Sequence, residues 1–174
     1  ACGNNKKAEQ FKALPFPDMS VPVMMSGSQD IAEYLAEHYW DSFTDPSRTY
    51  PSDSLLVSGV RKVDVEQKFA DWTYILDMLQ FHKAEKAVSG LYFKALACEK
   101  ADTSSGVFEF FNELSYKYLY DPNSPLRNED YYNVYVMKLA GYEGLSQEMR
   151  GKYEFDARMT SLNRTGTVAA DFRF

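Results

Sequence analysis

Tyr116-Lys117-Tyr118-Leu119-Tyr120-Asp121-Pro122-Asn123-Ser124-Pro125-Leu126-Arg127-Asn128-Glu129-Asp130-Tyr131-Tyr132 holds the end of one helix and the start of the next. The apolar helical pattern before it closes on Tyr118, Leu119 and Tyr120. Pro122 then drives Asp121 out of the α conformation, and Pro125 does the same to Ser124. A proline ring clashes with the backbone of its predecessor and has no N–H of its own. Asn128 reads as an N-cap, with Glu129 and Asp130 in the first turn, where carboxylates meet the positive end of a helix. A connection specified at so many positions sets the angle between two helices. No residue in it proposes a reaction.

Working outward, the periodicity stays helical. Downstream, a helix over 129–140 puts Tyr132, Tyr135, Val136 and Leu139 on one face. Gly141 and Gly144 break it, and Ser146 caps a last helix over 147–162 that carries Met149, Tyr153, Phe155, Met159 and Leu162. Upstream, helix 106–120 aligns Val107, Phe111, Leu114 and Tyr118, and helix 82–101 aligns Ala84, Ala87, Val88, Leu91, Ala95 and Cys98. A long pattern over 53–80 repeats Val65, Phe69, Trp72, Leu76 and Leu79, with Gly59 marking a break near its start. The first helix, 30–43, has Asp30 and Glu33 in capping-box spacing and His38 on or beside its apolar face, where a histidine is usually a packed core residue. Residues 14–28 combine three prolines with large apolar side chains, which predicts an extended arm across the helices. No segment alternates with period two. The expected architecture is all-α: a single bundle of about six antiparallel helices over 14–162 with a Pro-rich N-terminal arm.

Composition bounds the function. The chain has 174 residues, 45% hydrophobic and 16% aromatic, enough core for one domain. A net charge of −6 without Lys/Arg runs argues against a nucleic-acid partner, which needs a basic stripe. No apolar run approaches the ~20 residues that span a bilayer. Cys2 and Cys98 form no Cys-x-x-Cys, and His38 and His82 are far apart, so neither a redox motif, a metal site nor a cofactor site is expected. Cys98, on an apolar stripe, reads as a small buried hydrophobe, since a reactive thiolate needs a cationic, partly exposed setting.

Residues 1–13 are polar. Cys2 after a small residue, followed by Gly3-Asn4-Asn5-Lys6-Lys7, resembles the junction of a bacterial lipoprotein. The resemblance implies a lipid on Cys2, a membrane anchor and a periplasmic location, with 1–13 as tether. The ordinary alternative is a free cysteine near a chain end.

Three places resemble one family: 14–18 with 34–43, 118–132, and 163–174. They resemble an uncharacterised helical domain, domain of unknown function 5106, found ahead of thioredoxin-like domains in lipoproteins of Gram-negative anaerobes. Gly166-Thr167-Val168-Ala169-Ala170-Asp171-Phe172 is similar to the opening of a redoxin domain, where Asp-Phe enters the first strand. The resemblance implies that 163–174 is a linker and the start of a thioredoxin-like domain. Its catalytic cysteines have no counterpart in these residues, so no enzyme activity is expected of them.

Three functions are weighed. The first is a non-catalytic accessory or interaction domain that positions a thioredoxin-like domain of the same protein or holds its client protein or peptide. The second is an aromatic-lined peptide- or glycan-binding module, against which stands the simpler reading that the tyrosines fill the core and its rim. The third is a hydrolase or lyase built on Glu37, His38, Asp41 and Arg127, a cluster more in keeping with ordinary surface pairing. The candidate partner or ligand surface is Tyr39, Trp40, Asp41, Tyr118, Tyr120, Asn123, Ser124, Arg127 and Tyr131. In the 121–128 connection, docking competes with plain satisfaction of backbone groups, with Arg127 expected to pair with Asp41 or Asp121.

Overall fold

The computed structural model describes residues 11–164. Cys2, most of the polar tether and the redoxin-like 165–174 lie outside the described residues. Six helices follow in order: α1 Ser28–His38, α2 Lys62–Asp77, α3 Phe81–Ala101, α4 Val107–Leu119, α5 Glu129–Ala140 and α6 Gln147–Leu162. The fold is an all-α bundle with one very small hairpin, β1 Leu56–Val57 and β2 Val60–Arg61. The 21-residue α3 is the spine and packs against α1, α2, α4 and α5. Its buried face includes Ala84, Ala87 and Ala95, small side chains that let neighbouring helices approach closely.

Bounds for α5 and α6 coincide with the periodicity, and both expected caps form. The Asn128 side chain accepts the Tyr131 amide at 3.1 Å, and Ser146 accepts that of Met149 at 3.2 Å. Asn128→Ala is expected to cost about 1 kcal/mol in urea denaturation, the usual value of a lost N-cap.

Three expectations are corrected. The long pattern over 53–80 is a hairpin followed by a shorter helix. Asp53 Oδ1 accepts the amides of Leu55 and Leu56, and Ser58 and Gly59 both take positive φ, as a type I′ turn requires. The strands have two residues each, too short to show alternation. Next, α1 begins at Ser28 because Gly27, at φ 95, starts the helix, placing Asp30 inside the first turn. The capping box does not form, and Glu33 instead takes an ion pair from Lys83 of α3 at 2.7 Å. Finally, α1 stops at His38, so residues 39–44 are turns, and the His38 side chain is 42% exposed, paired with Asp41.

The arm crosses the bundle as expected. Leu14 N–H donates to the Gly59 carbonyl at 2.8 Å, extending the hairpin by a parallel bridge to Val60. Phe16 stacks on Phe43 at 5.4 Å and meets Trp40 edge-on at 5.7 Å. Beneath it lies an aromatic centre. Trp40 contacts Phe111 at 4.8 Å, Trp72 at 6.0 Å and Phe69 at 6.2 Å. Trp72 donates its indole N–H to the Ala36 carbonyl at 3.0 Å, whereas the buried indole N–H of Trp40 has no acceptor among the described residues. Cys98 is buried, with Sγ 3.1 Å from the Thr44 carbonyl, and burial first, then Asp45, pushes its thiol up to about 11. That is a structural cysteine.

Candidate functional site

The α4–α5 connection is ordered by its own side chains. Two amides, those of Tyr120 and Asp121, converge on the Tyr116 carbonyl. Asp121 then accepts the Asn123 amide at 2.8 Å, an Asx turn. Ser124 does two jobs: its hydroxyl donates to the Tyr118 carbonyl and accepts the Leu126 amide at 3.2 Å. The Asn128 amide closes the loop on the Leu119 carbonyl at 3.0 Å. Arg127 pairs with Glu129, not with Asp41 or Asp121, because its guanidinium lies over the Tyr120 ring at 5.4 Å, on the α5 side of the loop.

All but one of the candidate residues fall into three places. Tyr118, Asn123 and Ser124 share a shallow depression of about 250 Å³ with Lys117, Asp121 and Pro125. Tyr118 backs onto Phe69 at 5.6 Å, and Lys117 is held by Glu66 at 2.6 Å. On the other side of α4, Tyr120 stacks on Tyr132 at 4.5 Å. Tyr132 in turn donates its hydroxyl to the buried carboxylate of Asp156 at 2.7 Å. Tyr39, Trp40 and Asp41 sit at the end of α1. Tyr39 is half-buried, and burial, then Asp71, raises its phenol to about 12. Trp40 is not on the surface, at 1% exposure. Asp41 is exposed, and although burial works against it, hydrogen bonds from Lys94 and His38 hold its carboxyl below the ordinary value. Tyr131 belongs to none of these groups: it is 6% exposed, donates to Asp77 at 3.1 Å and lies parallel to Phe81.

Sequence reasoning missed the supports of this site. Tyr116, Tyr132, Asp156 and Lys152, whose ammonium sits 4.4 Å from the Tyr116 ring centre, come from three helices. Only Tyr132 carried a signal, as an inward position of α5.

Glu37 and Asp41 hold Lys86 and Lys94, at 3.1 Å and 2.6 Å, so the charges around His38 tie α1 and its end to α3. Arg127 is engaged elsewhere. Among the described residues, no group of three or more His, Cys, Asp or Glu side chains is placed to hold a metal ion. No described helix is long and apolar enough to cross a membrane. What the α4–α5 side offers is a part-aromatic, part-polar face whose loop is held by its own hydrogen bonds.

Helices gathered on a central α3, with an internally bonded α4–α5 loop, define an all-α helical domain. Residues 1–163 match the family described as Domain of unknown function (DUF5106), and the chain belongs to that family. A solved structure of a thioredoxin-like protein from Bacteroides caccae is similar, with a TM-score of 0.72 and 27% identity over 88% of this chain and 50% of that one. This chain thus corresponds to about half of that protein's length. No curated protein matches the chain.

Proposed function

We propose that this domain is a non-catalytic accessory domain of a cell-envelope lipoprotein, N-terminal to a thioredoxin-like thiol–disulfide oxidoreductase domain. It positions that domain or holds its clients, and a lipid on Cys2 keeps it at the membrane in the periplasm. The observation that carries this reading is the likeness to a thioredoxin-like protein that spans 88% of this chain but 50% of that one, leaving there the length of a further domain. The absence of Cys-x-x-Cys from the sequence agrees with a supporting role. The contact surface is the α4–α5 loop with Tyr118, because its backbone is bonded in place before any partner arrives and little ordering remains to oppose binding.

The test compares disulfide reduction by the full-length natural protein with that of versions carrying Tyr118→Ala with Asn123→Ala, or lacking 14–162. The expected result is a fall in rate on protein clients of at least about fivefold, as lost contacts worth ~1 kcal/mol produce, at an unchanged reduction potential. Equal rates and equal client range in all three would overturn it, as would a gene without a thioredoxin-like domain after Phe174.

A further inference from the structure

Between the end of α3, the first half of α4 and the α5–α6 connection lies a cavity of about 340 Å³, within the range of small-ligand sites. Three carboxylates line it, Glu99, Glu109 and Glu113, and no lysine, arginine or histidine does. None of the three has an ion-pair partner within 4 Å among the described residues. Glu109 has a structural explanation, since it stands in the first turn of α4 against the positive helix end. Glu99 and Glu113 have none. Burial, then the charges of Glu109 and Asp102, raise the Glu99 carboxyl above its ordinary value.

Part of the remaining wall is aromatic. Phe108 and Tyr142 meet edge to face at 5.1 Å, and Tyr153 lines the same space. Gly144 makes this possible: a Cβ there would run into the Tyr142 ring. Asn112 supplies an independent pointer. It lines the cavity at 7% exposure, and its Oδ1 accepts the Tyr135 hydroxyl at 2.7 Å. Its Nδ2 has no acceptor among the described residues, yet it is not one of the sealed unpartnered atoms, which are Trp40 Nε1 and Ser115 Oγ. The amide group therefore opens onto the cavity as an unused donor.

Carboxylates that surround a space but do not converge on one point suit an extended organic cation better than a metal ion. We propose that this cavity binds a protonated amine or guanidinium, its head between Glu99 and Glu113 and against the Tyr142 and Tyr153 rings, with an oxygen of the ligand accepting from Asn112 Nδ2. That is the chemistry of a lysine or arginine side chain with its own carbonyl, or of a free small amine. Charge-assisted hydrogen bonds and the ring faces both favour such a head group. The site stands apart from the α4–α5 loop and does not depend on the thioredoxin-linked reading.

The experiment is an amide chemical-shift titration of the full chain with Nα-acetyl-lysine methylamide, its arginine counterpart, butylamine and, separately, calcium chloride at matched ionic strength. Saturable shifts centred on Glu99, Tyr142 and Gly144 are expected with the organic cations. Glu99→Gln with Glu113→Gln is expected to weaken binding about tenfold or more while leaving the fold at least as stable, since like charges are removed. Gly144→Ala, which displaces the Tyr142 ring, is expected to weaken it too. Tighter binding of the amino-acid derivatives than of butylamine assigns the ligand to a peptide, and equal binding assigns it to a free amine. The proposal fails if no shift saturates, if the shifts persist in the double variant, or if calcium reproduces them.

Discussion

Between about pH 10 and 12 the domain is expected to unfold in one cooperative step. Tyr131, Tyr132 and Tyr135 are buried, and burial is the largest reason their phenols are raised. Asp77 adds to the effect for Tyr131, Asp156 for Tyr132 and Tyr92 for Tyr135. A group whose folded pKa lies above its unfolded value contributes its full stability below the unfolded pKa, about 10 for tyrosine, and loses it as the pH rises further. Each phenol kept protonated in the fold but ionised in the unfolded chain lowers stability by ~1.4 kcal/mol per pH unit, so three of them lower it by about 4. A stability of about 5–8 kcal/mol, toward the lower end of the usual range, is used up within about one to two units of pH. Tyrosinate absorbance followed beside helical circular dichroism checks this. The buried rings should ionise together with helix loss. Smooth titration of all the tyrosines on an intact helical signal would contradict the burial described here.

Trp40→Ala is expected to cost about 3–5 kcal/mol in urea denaturation, which leaves the domain marginal. Trp40 is nearly sealed and is touched by the rings of Phe16, Phe43, Phe69, Trp72 and Phe111, so the arm, α2 and α4 all lose a neighbour at once. Trp40→Phe separates cavity from chemistry. It removes an indole N–H that has no partner among the described residues, whereas Trp72→Phe removes one bonded to the Ala36 carbonyl. For the same change in size, the Trp72 variant is expected to be worse by about 1 kcal/mol, the net value of a hydrogen bond.

The parts of the fold legible in the sequence are those where a repeated spacing or a cap chemistry points one way. The bounds of α5 and α6 are of this kind, because Asn128 and Ser146 stand immediately before charged first turns and sustained apolar spacing. The hairpin at 56–61 was hidden since Leu56, Val57 and Val60 are all buried and mimic the start of a helical stripe. Only Ser58-Gly59 carried a turn signal. Asp30 misled because a glycine at positive φ started α1 three residues earlier. Trp40 read as surface because it lies past the end of α1, where no periodicity says which of Tyr39, Trp40 and Phe43 points inward. The acidic cavity was illegible for another reason. Glu99, Glu113 and Tyr142 come from separate segments, and each alone looks like an ordinary solvated position.

The arm also fixes how the domain carries a mechanical load. Tension applied on the N-terminal side of Leu14 meets the Leu14–Gly59 hydrogen bond and the Phe16 ring wedged against Trp40 and Phe43. From the hairpin it passes through the Ser58 amide to the Ser52 hydroxyl, and from there to the Ser105 carbonyl at the head of α4. A pull along the arm is thus passed both to the aromatic centre and to the head of α4.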